Sequence, residues 1–237
     1  MTREKGTLRG HAPAGAEHDP AVRLRRGVTV LVGIVMLADL VLTITGGQWL
    51  NAFVPVVIMC ITLAPVLLGE RLPVHIPAEF QLLALLFSFA SLFLGEARSY
   101  YYRFWWWDIM LHVSSGLLLG ILGFLLVYVL NENRRAQLNM RPRFIALFAF
   151  TFAVGVGTLW EIFEFAMDRL LGLTMQKPML GDTSGLTDTM WDLIVDTLGA
   201  LVISVLGWWY MHHGNESFIE LWIKKFIAGN PRLFRRR

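Results

Sequence analysis

Six long apolar blocks divide the chain: Val28 to Thr45, Leu50 to Leu68, Pro77 to Leu94, Asp108 to Leu130, Phe144 to about Asp168, and Thr189 to Met211. A helix needs roughly 20 predominantly apolar residues to cross the hydrocarbon of a bilayer, and these blocks run close to that length. Of the 237 residues 55% are hydrophobic and only 16% charged, and the mean hydropathy is +0.54. A soluble domain carries about 25% charged residues. The expected fold class is all-α: a polytopic membrane helix bundle with six transmembrane helices over residues 27–212. Pro55 and Pro65 fall inside the second block, where neighbouring helices can satisfy the carbonyls that proline frees.

The flanks follow from composition. Residues 1–26 are polar, rich in Ala, Gly and Pro, and end in Arg23, Arg25 and Arg26; they read as a disordered cytoplasmic tail. The first block is longer than a signal-peptide core and ends in Thr-Gly-Gly-Gln without a small-x-small site, so it reads as an uncleaved span. Residues 213–237 mix apolar and cationic side chains in F-I-E-L-W-I-K-K-F-I and close on L-F-R-R-R. That pattern suits a basic amphipathic cytoplasmic helix on an anionic membrane surface, or a solvated tail. Seventeen of the 21 Lys and Arg fall in the tails and the second and fourth connections, and four (Arg98, Arg103, Arg169 and Lys177) in the others. Positive residues stay inside, so both termini are expected in the cytoplasm of a bacterial cell, with the chain in its inner membrane. The net charge of +3 belongs to these loops and implies lipids as neighbours, not nucleic acid. The Tyr- and Trp-rich stretch Tyr100 to Trp107 then lies at the outer boundary as an interfacial belt. Cys60, the single cysteine, excludes an intrachain disulfide.

Acidic groups in apolar spans are costly and read as functional by default. Asp108 and His112 enter block four from outside; Glu161, Glu164 and Asp168 close block five; Asp188, Asp192 and Asp196 open block six. At about 1.5 Å per residue, Glu161 and Asp196 each lie roughly 10 Å below the outer ends of their helices. Separate helices thus bring carboxylates and an imidazole to one depth. Asp108, His112, Gly116 and Gly120 share a face by their spacing of four, as do Asp192, Asp196, Ala200 and Ser204. Small residues on those faces allow close approach of helices, so the acids should point inward. Blander roles stand beside these. Asp192 could close a capping box with Thr189. Asp188 and Asp108 could be first-turn carboxylates favoured by the helix dipole. Asp168 could pair with Arg169 or water, and Asp39 could be a packing partner for a polar group. Gly181-Asp182-Thr-Ser-Gly resembles a piece of a calcium loop without its spacing or its closing Glu.

W-W-W-D-I-M-L-H-V-S-S-G, W-E-I-F-E-F-A-M-D and D-T-M-W-D-L-I-V-D-T-L-G-A, in that order, resemble the YjdF-like family of bacterial inner-membrane proteins, with a weaker similarity to VanZ-like membrane proteins linked to glycopeptide resistance. The resemblance runs from about Leu72 to Leu206. It implies a multi-span helical protein and makes Asp108, His112, Glu161, Glu164, Asp192 and Asp196 the polar motif positions. It names no reaction; the VanZ-like similarity suggests envelope chemistry.

Three functions stay open at this point. A divalent metal (Zn, Mn or Mg) bound by His112, Glu161 and Asp196 would relieve the repulsion among the carboxylates, with Glu164 or Asp192 as catalytic base on a lipid-linked or envelope substrate. Protons could relieve it instead, in a proton- or cation-coupled transporter whose path inward would run by Glu79. Finally, the acids could form a structural network in a non-catalytic scaffold.

Overall fold

The computed structural model describes residues 20–46, 53–68, 76–132, 140–213 and 218–230. The expected tail up to residue 19, most of the connection after Leu130 and the closing L-F-R-R-R lie outside the described residues. Those described form eight helices in chain order: α1 (Pro20–Thr45), α2 (Phe53–Leu68), α3 (Ala78–Ser88, continuing as a π-helix over Phe89–Ala97), α4 (Tyr100–Arg103), α5 (Trp107–Glu132), α6 (Pro142–Leu171), α7 (Leu186–His213) and α8 (Phe218–Gly229). No strand occurs among the described residues; one isolated bridge joins Met179 and Asp182. Among the described residues five helices are long and apolar enough to cross a membrane: α1, α3 with its π segment, α5, α6 and α7. Helix α2 is as apolar but has 16 residues.

Several boundaries differ from the expected ones. Helix α1 starts at Pro20, so Arg23, Arg25 and Arg26 stand on its first turns and not in a tail. Proline suits a helix start because its missing N–H has no intrahelical role there. Arg25 donates from Nη1 to Gln81 Oε1 and so ties α1 to the start of α3. Helix α7 opens at Leu186, three residues before the expected start, with the Thr189 N–H bonded to the Gly185 carbonyl at 3.1 Å. Thr189 is therefore inside the helix and is no N-cap for Asp192.

Helices α5, α6 and α7 form one close-packed unit. Their small residues explain the approach. A Cβ on Gly199 would stand 2.5 Å from the Val113 carbonyl oxygen, and one on Gly123 would stand 2.8 Å from the Ala149 Cα. Around this seam Ile121, Phe124, Ala146, Ala149 and Ile203 make a buried cluster. A second cluster, with Val32, Met36, Ile58, Leu85 and Phe93, joins α1, α2 and α3. Large apolar side chains such as Leu42, Leu159 and Leu201 point outward and exposed, as a lipid-facing surface requires.

The two ends of the bundle differ in charge. At one end stand Arg23, Arg25, Arg26, Arg141 and Arg143, and there α8 packs: Trp222 meets Phe80 edge-on at 4.9 Å, Phe226 is buried, and Lys225 pairs with Glu79. At the other end the acids of α5, α6 and α7 converge.

Candidate functional site

His112 is the centre of the acidic end. Helix α5 begins at Trp107, which puts Asp108 in its first turn and His112 one turn later on the same face. Asp108 Oδ1 lies 3.6 Å from His112 Nε2. From α7, Asp192 Oδ2 lies 3.7 Å from Nε2 and Asp196 Oδ2 lies 3.3 Å from Nδ1. From α6, Glu161 Oε1 lies 3.8 Å from Nδ1. Three helices that are distant in sequence thus deliver four carboxylates to one ring. The closeness rests on glycine again, since a Cβ at Gly157 would stand 2.7 Å from Asp196 Oδ2.

The carboxylates are not equivalent. Asp196 is held on both oxygens: the Ser115 hydroxyl donates to Oδ1, and Oδ2 is within hydrogen-bond reach of the imidazole. Glu161 and Asp192 are 2% and 1% exposed; Glu161 has the Thr189 hydroxyl beside it, whereas Asp192 has no hydrogen-bond partner on either carboxylate oxygen among the described residues. Buried polar atoms are nearly always satisfied, so the orphaned Asp192 carboxylate points to something that it would bind.

Distances identify the part of the cluster that fits a cation. Asp108, His112 and Asp192 can each offer one ligand atom with all three atoms within 4.8 Å of one another. The separations of 3.6 and 3.7 Å from Nε2 are too long for hydrogen bonds. They lie at the upper edge of the roughly 3.3–3.6 Å between ligand atoms of a tetrahedral ion bound at about 2.0–2.2 Å, and within about 0.1 Å of it. An Asp196 bond at Nδ1 orients the ring and leaves Nε2 facing Asp108 and Asp192, the usual arrangement of a carboxylate behind a metal-binding histidine. The compact set therefore departs from the expected His112, Glu161 and Asp196. Asp108 and Asp192 stand on the Nε2 side, while Asp196 and Glu161 stand behind the ring at Nδ1.

Other expected positions lie outside the cluster. Asp39, buried on α1, pairs at 2.6 Å with Arg98 at the end of the π segment. Asp168 accepts the backbone N–H groups of Met175 and Gln176 at 2.7 and 2.9 Å, anchoring the connection after α6, while Arg169 lies over the Phe165 ring. Asp188 accepts the Lys177 backbone N–H at 2.6 Å, a role beyond the helix dipole. Asp182 accepts from the Ser184 and Thr187 N–H groups at 2.8 and 3.0 Å and from the Thr187 hydroxyl at 2.8 Å, which makes the Gly181 loop a self-bonded turn. Those bonds from Ser184 and Thr187 hold its carboxyl below the ordinary range. Glu79 is paired with Lys225 at the opposite end, so it does not extend the cluster inward.

Beside His112 lies a cavity of about 440 Å³ between α3 with its π segment on one side and α5 and α6 on the other. Glu96, Asp108, His112, Glu164, Lys177 and Asp196 line its polar part. The π-helix widens the turn there and presents Ser91 and Glu96; insertions of this kind are frequent at functional sites. Ser91 shares a 3.1 Å hydrogen bond with the Tyr101 hydroxyl, and burial pushes that phenol up. Lys177, from the connection after α6, donates to Glu96 at 3.0 Å and to the Thr174 carbonyl at 2.8 Å, and lies over the Tyr101 ring. Ser115, Glu96, Tyr101 and Lys177 were not among the expected site residues. Ser115 had a signal in the sequence: it follows His112 by three residues on the same helix stripe.

Fold and site together define a polytopic helical membrane protein with a histidine-centred carboxylate cluster at one end of its bundle. The chain belongs to the DUF2238 family of predicted membrane proteins, whose model matches residues 25–213. It is also 28% identical over 188 residues to an uncharacterized protein of Thermotoga maritima, covering 77% of this chain and 87% of that one. No solved structure matches.

Proposed function

We propose that the chain is a YjdF-like protein that crosses the bacterial inner membrane six times with both termini in the cytoplasm. Its acidic end would face outward and bind a divalent cation on Asp108, His112 and Asp192. The charge asymmetry of the bundle supports the orientation, because the arginines of α1, Arg141 and Arg143 at the start of α6 and the lysines of α8 gather at one end. Helix α2 serves as the short sixth span; its 16 residues reach about 24 Å at about 1.5 Å each, a mismatch that local thinning of the bilayer absorbs.

The observation that carries the cation is the spacing around Nε2, too wide for hydrogen bonding and close to that of a shared ion, with both Asp192 oxygens unpartnered. Four carboxylates around one imidazole carry more negative charge than the ring can neutralise. The mixed nitrogen and oxygen set suits Zn or Mn, and Mg less closely. When bound, such an ion supplies Lewis acidity towards a carbonyl or phosphoryl oxygen. Asp196 holds the imidazole in register, Ser115 holds Asp196, and Glu164 lines the cavity where a proton acceptor for an envelope or lipid-linked substrate is needed. A purely structural network would be expected to satisfy its own oxygens, and Asp192 is left without a partner on either. A coupled transporter would draw on the same acids, but its expected inner station, Glu79, is committed to Lys225.

The test is a titration of Mn and Zn into purified, chelator-stripped protein. Stoichiometric binding that disappears in the Asp108→Asn/Asp192→Asn double variant is expected. Absence of binding in the native chain, or undiminished binding in the variant, overturns the reading.

A further inference from the structure

The cavity beside the cluster has a direction. Its lining residues on α5 run from Asp108 to Leu119 and those on α3 and the π segment from Ala84 to Glu96. Eleven residues of α-helix rise about 16 Å, so the cavity is elongated along the helices, parallel to the membrane normal. Its polarity changes along that length. Glu96, Asp108, His112 and Lys177 stand at the acidic end, whereas Ala84, Phe87, Ser88, Leu118, Leu119 and Val156 line the deeper part. The volume of about 440 Å³ falls within the roughly 300–1,000 Å³ of small-molecule sites. A slot that is polar at the membrane boundary and apolar toward the midplane repeats the profile of a bilayer leaflet. It suits a ligand of the same profile.

The chemistry of the polar end selects the headgroup. The carboxylates alone would repel an anion, and among the lining residues Lys177 is the one lysine or arginine. With a divalent ion on Asp108, His112 and Asp192, the balance changes: an ion backed by carboxylates and facing a lysine is a common receptor for phosphate oxygens. Lys177 uses two of its three N–H donors on Glu96 and Thr174, which leaves one for a ligand. Asp108 and His112 line the cavity's polar end, and behind them the buried Asp192, 3.7 Å from Nε2 with neither carboxylate oxygen hydrogen-bonded, completes the set that would hold the ion.

The geometry points to an amphiphile with a phosphate head and an apolar tail as the cavity's ligand, its head on the cation and Lys177 and its tail along Phe87, Leu118 and Leu119. This inference rests on the cation reading above. It makes the protein a receptor for a phosphorylated lipid from the leaflet on the acidic side.

The experiment uses the full chain in nanodiscs of zwitterionic lipid, loaded with Mn, with dodecyl phosphate as probe and inorganic phosphate and dodecylamine as controls. Mn occupancy is read by electron paramagnetic resonance in the same samples. Saturable, Mn-dependent retention of dodecyl phosphate is expected, with inorganic phosphate retained only weakly. Blocking the apolar part with Ala84→Trp, or separately with Ser88→Leu, should abolish retention of dodecyl phosphate while Mn occupancy stays native. Lys177→Gln should weaken it by about ten- to hundredfold, the value of a charge-assisted hydrogen bond. Native Mn binding without dodecyl phosphate retention overturns this inference and leaves the cation reading standing; absence of Mn binding overturns both. Retention indifferent to both cavity-blocking variants, or tighter retention of dodecylamine, also overturns it.

Discussion

Gly199→Ala tests whether the helix seam sets the geometry of the cluster. The new Cβ would stand 2.5 Å from the Val113 carbonyl oxygen and 3.3 Å from the Leu117 nitrogen, where ordinary contact begins at 3.4 Å. Both neighbours are backbone atoms and cannot rotate away, so α7 must move from α5 by about 0.9 Å. Carried to Asp196, less than one turn away, that shift would stretch the 3.3 Å contact with His112 to about 4.2 Å, past hydrogen-bond range. Overpacking of this kind costs about 1–3 kcal/mol. Alanine recovers up to about 1 kcal/mol of helix propensity. Because both obstructing atoms are backbone, the strain should fall in the upper half of the overpacking range and win, leaving a net loss of about 1–2 kcal/mol and a fall in Tm of roughly 2–8 °C. The assays are thermal unfolding in detergent and Mn titration on the same preparation. Gly155→Ala is the control, because a Cβ there meets nothing within 4 Å. A Gly199→Ala protein that melts with or above the native chain and binds Mn as tightly would refute the reasoning.

Ser115→Ala removes the hydroxyl that holds Asp196 and should weaken metal binding by about 10–100-fold without unfolding the protein, as loss of a supporting group behind a ligand does; isothermal titration reads it. Arg98→Ala strands the buried Asp39 carboxylate and should destabilise by about 1–3 kcal/mol, discounted from a fully buried pair because Arg98 is half exposed. Adding Asp39→Leu should restore part of that loss in a melting experiment, and a further drop would contradict the assignment of the pair. Asp182 has its carboxyl held low by Ser184 and Thr187, so its support of the turn is fully present above its unfolded pKa of about 3.9 and is lost as pH falls below it. Amide exchange at Ser184 and Thr187, corrected for intrinsic rate, should therefore be flat from pH 5 to 8 and faster near pH 3. In Asp182→Asn that acid-induced step should vanish.

Much of this architecture was legible in the linear order of residues. Apolar block length dictates membrane helices, because a bilayer leaves backbone polar groups no partner but one another. Depth was legible too, since rise per residue converts position along a helix into height, and the acids of blocks four, five and six fall at one level. Spacing of four placed Asp108 with His112 and Asp192 with Asp196. Local rules misjudged the helix ends. Proline at position 20 extended α1 through three arginines, and Asp39 found Arg98 59 positions away, a pairing that periodicity along one helix cannot express.

What only the tertiary structure decided is how the helices are rotated against one another. Membership of the cluster depended on depth, but the split between Nε2 and Nδ1 depended on which carboxylate each helix turns toward the ring. Asp108 and Asp192 took the side that fits an ion, while Asp196 moved behind the imidazole with Ser115. The cavity, too, is lined by Ser91, Leu92 and Glu96 of the π segment, and i to i+5 bonding leaves no reliable mark in a string of apolar residues. Composition and period act along one chain and set what is buried and how deep. Rotation and close approach are settled by contacts between chain segments far apart in sequence, and those contacts set the distances on which the chemistry depends.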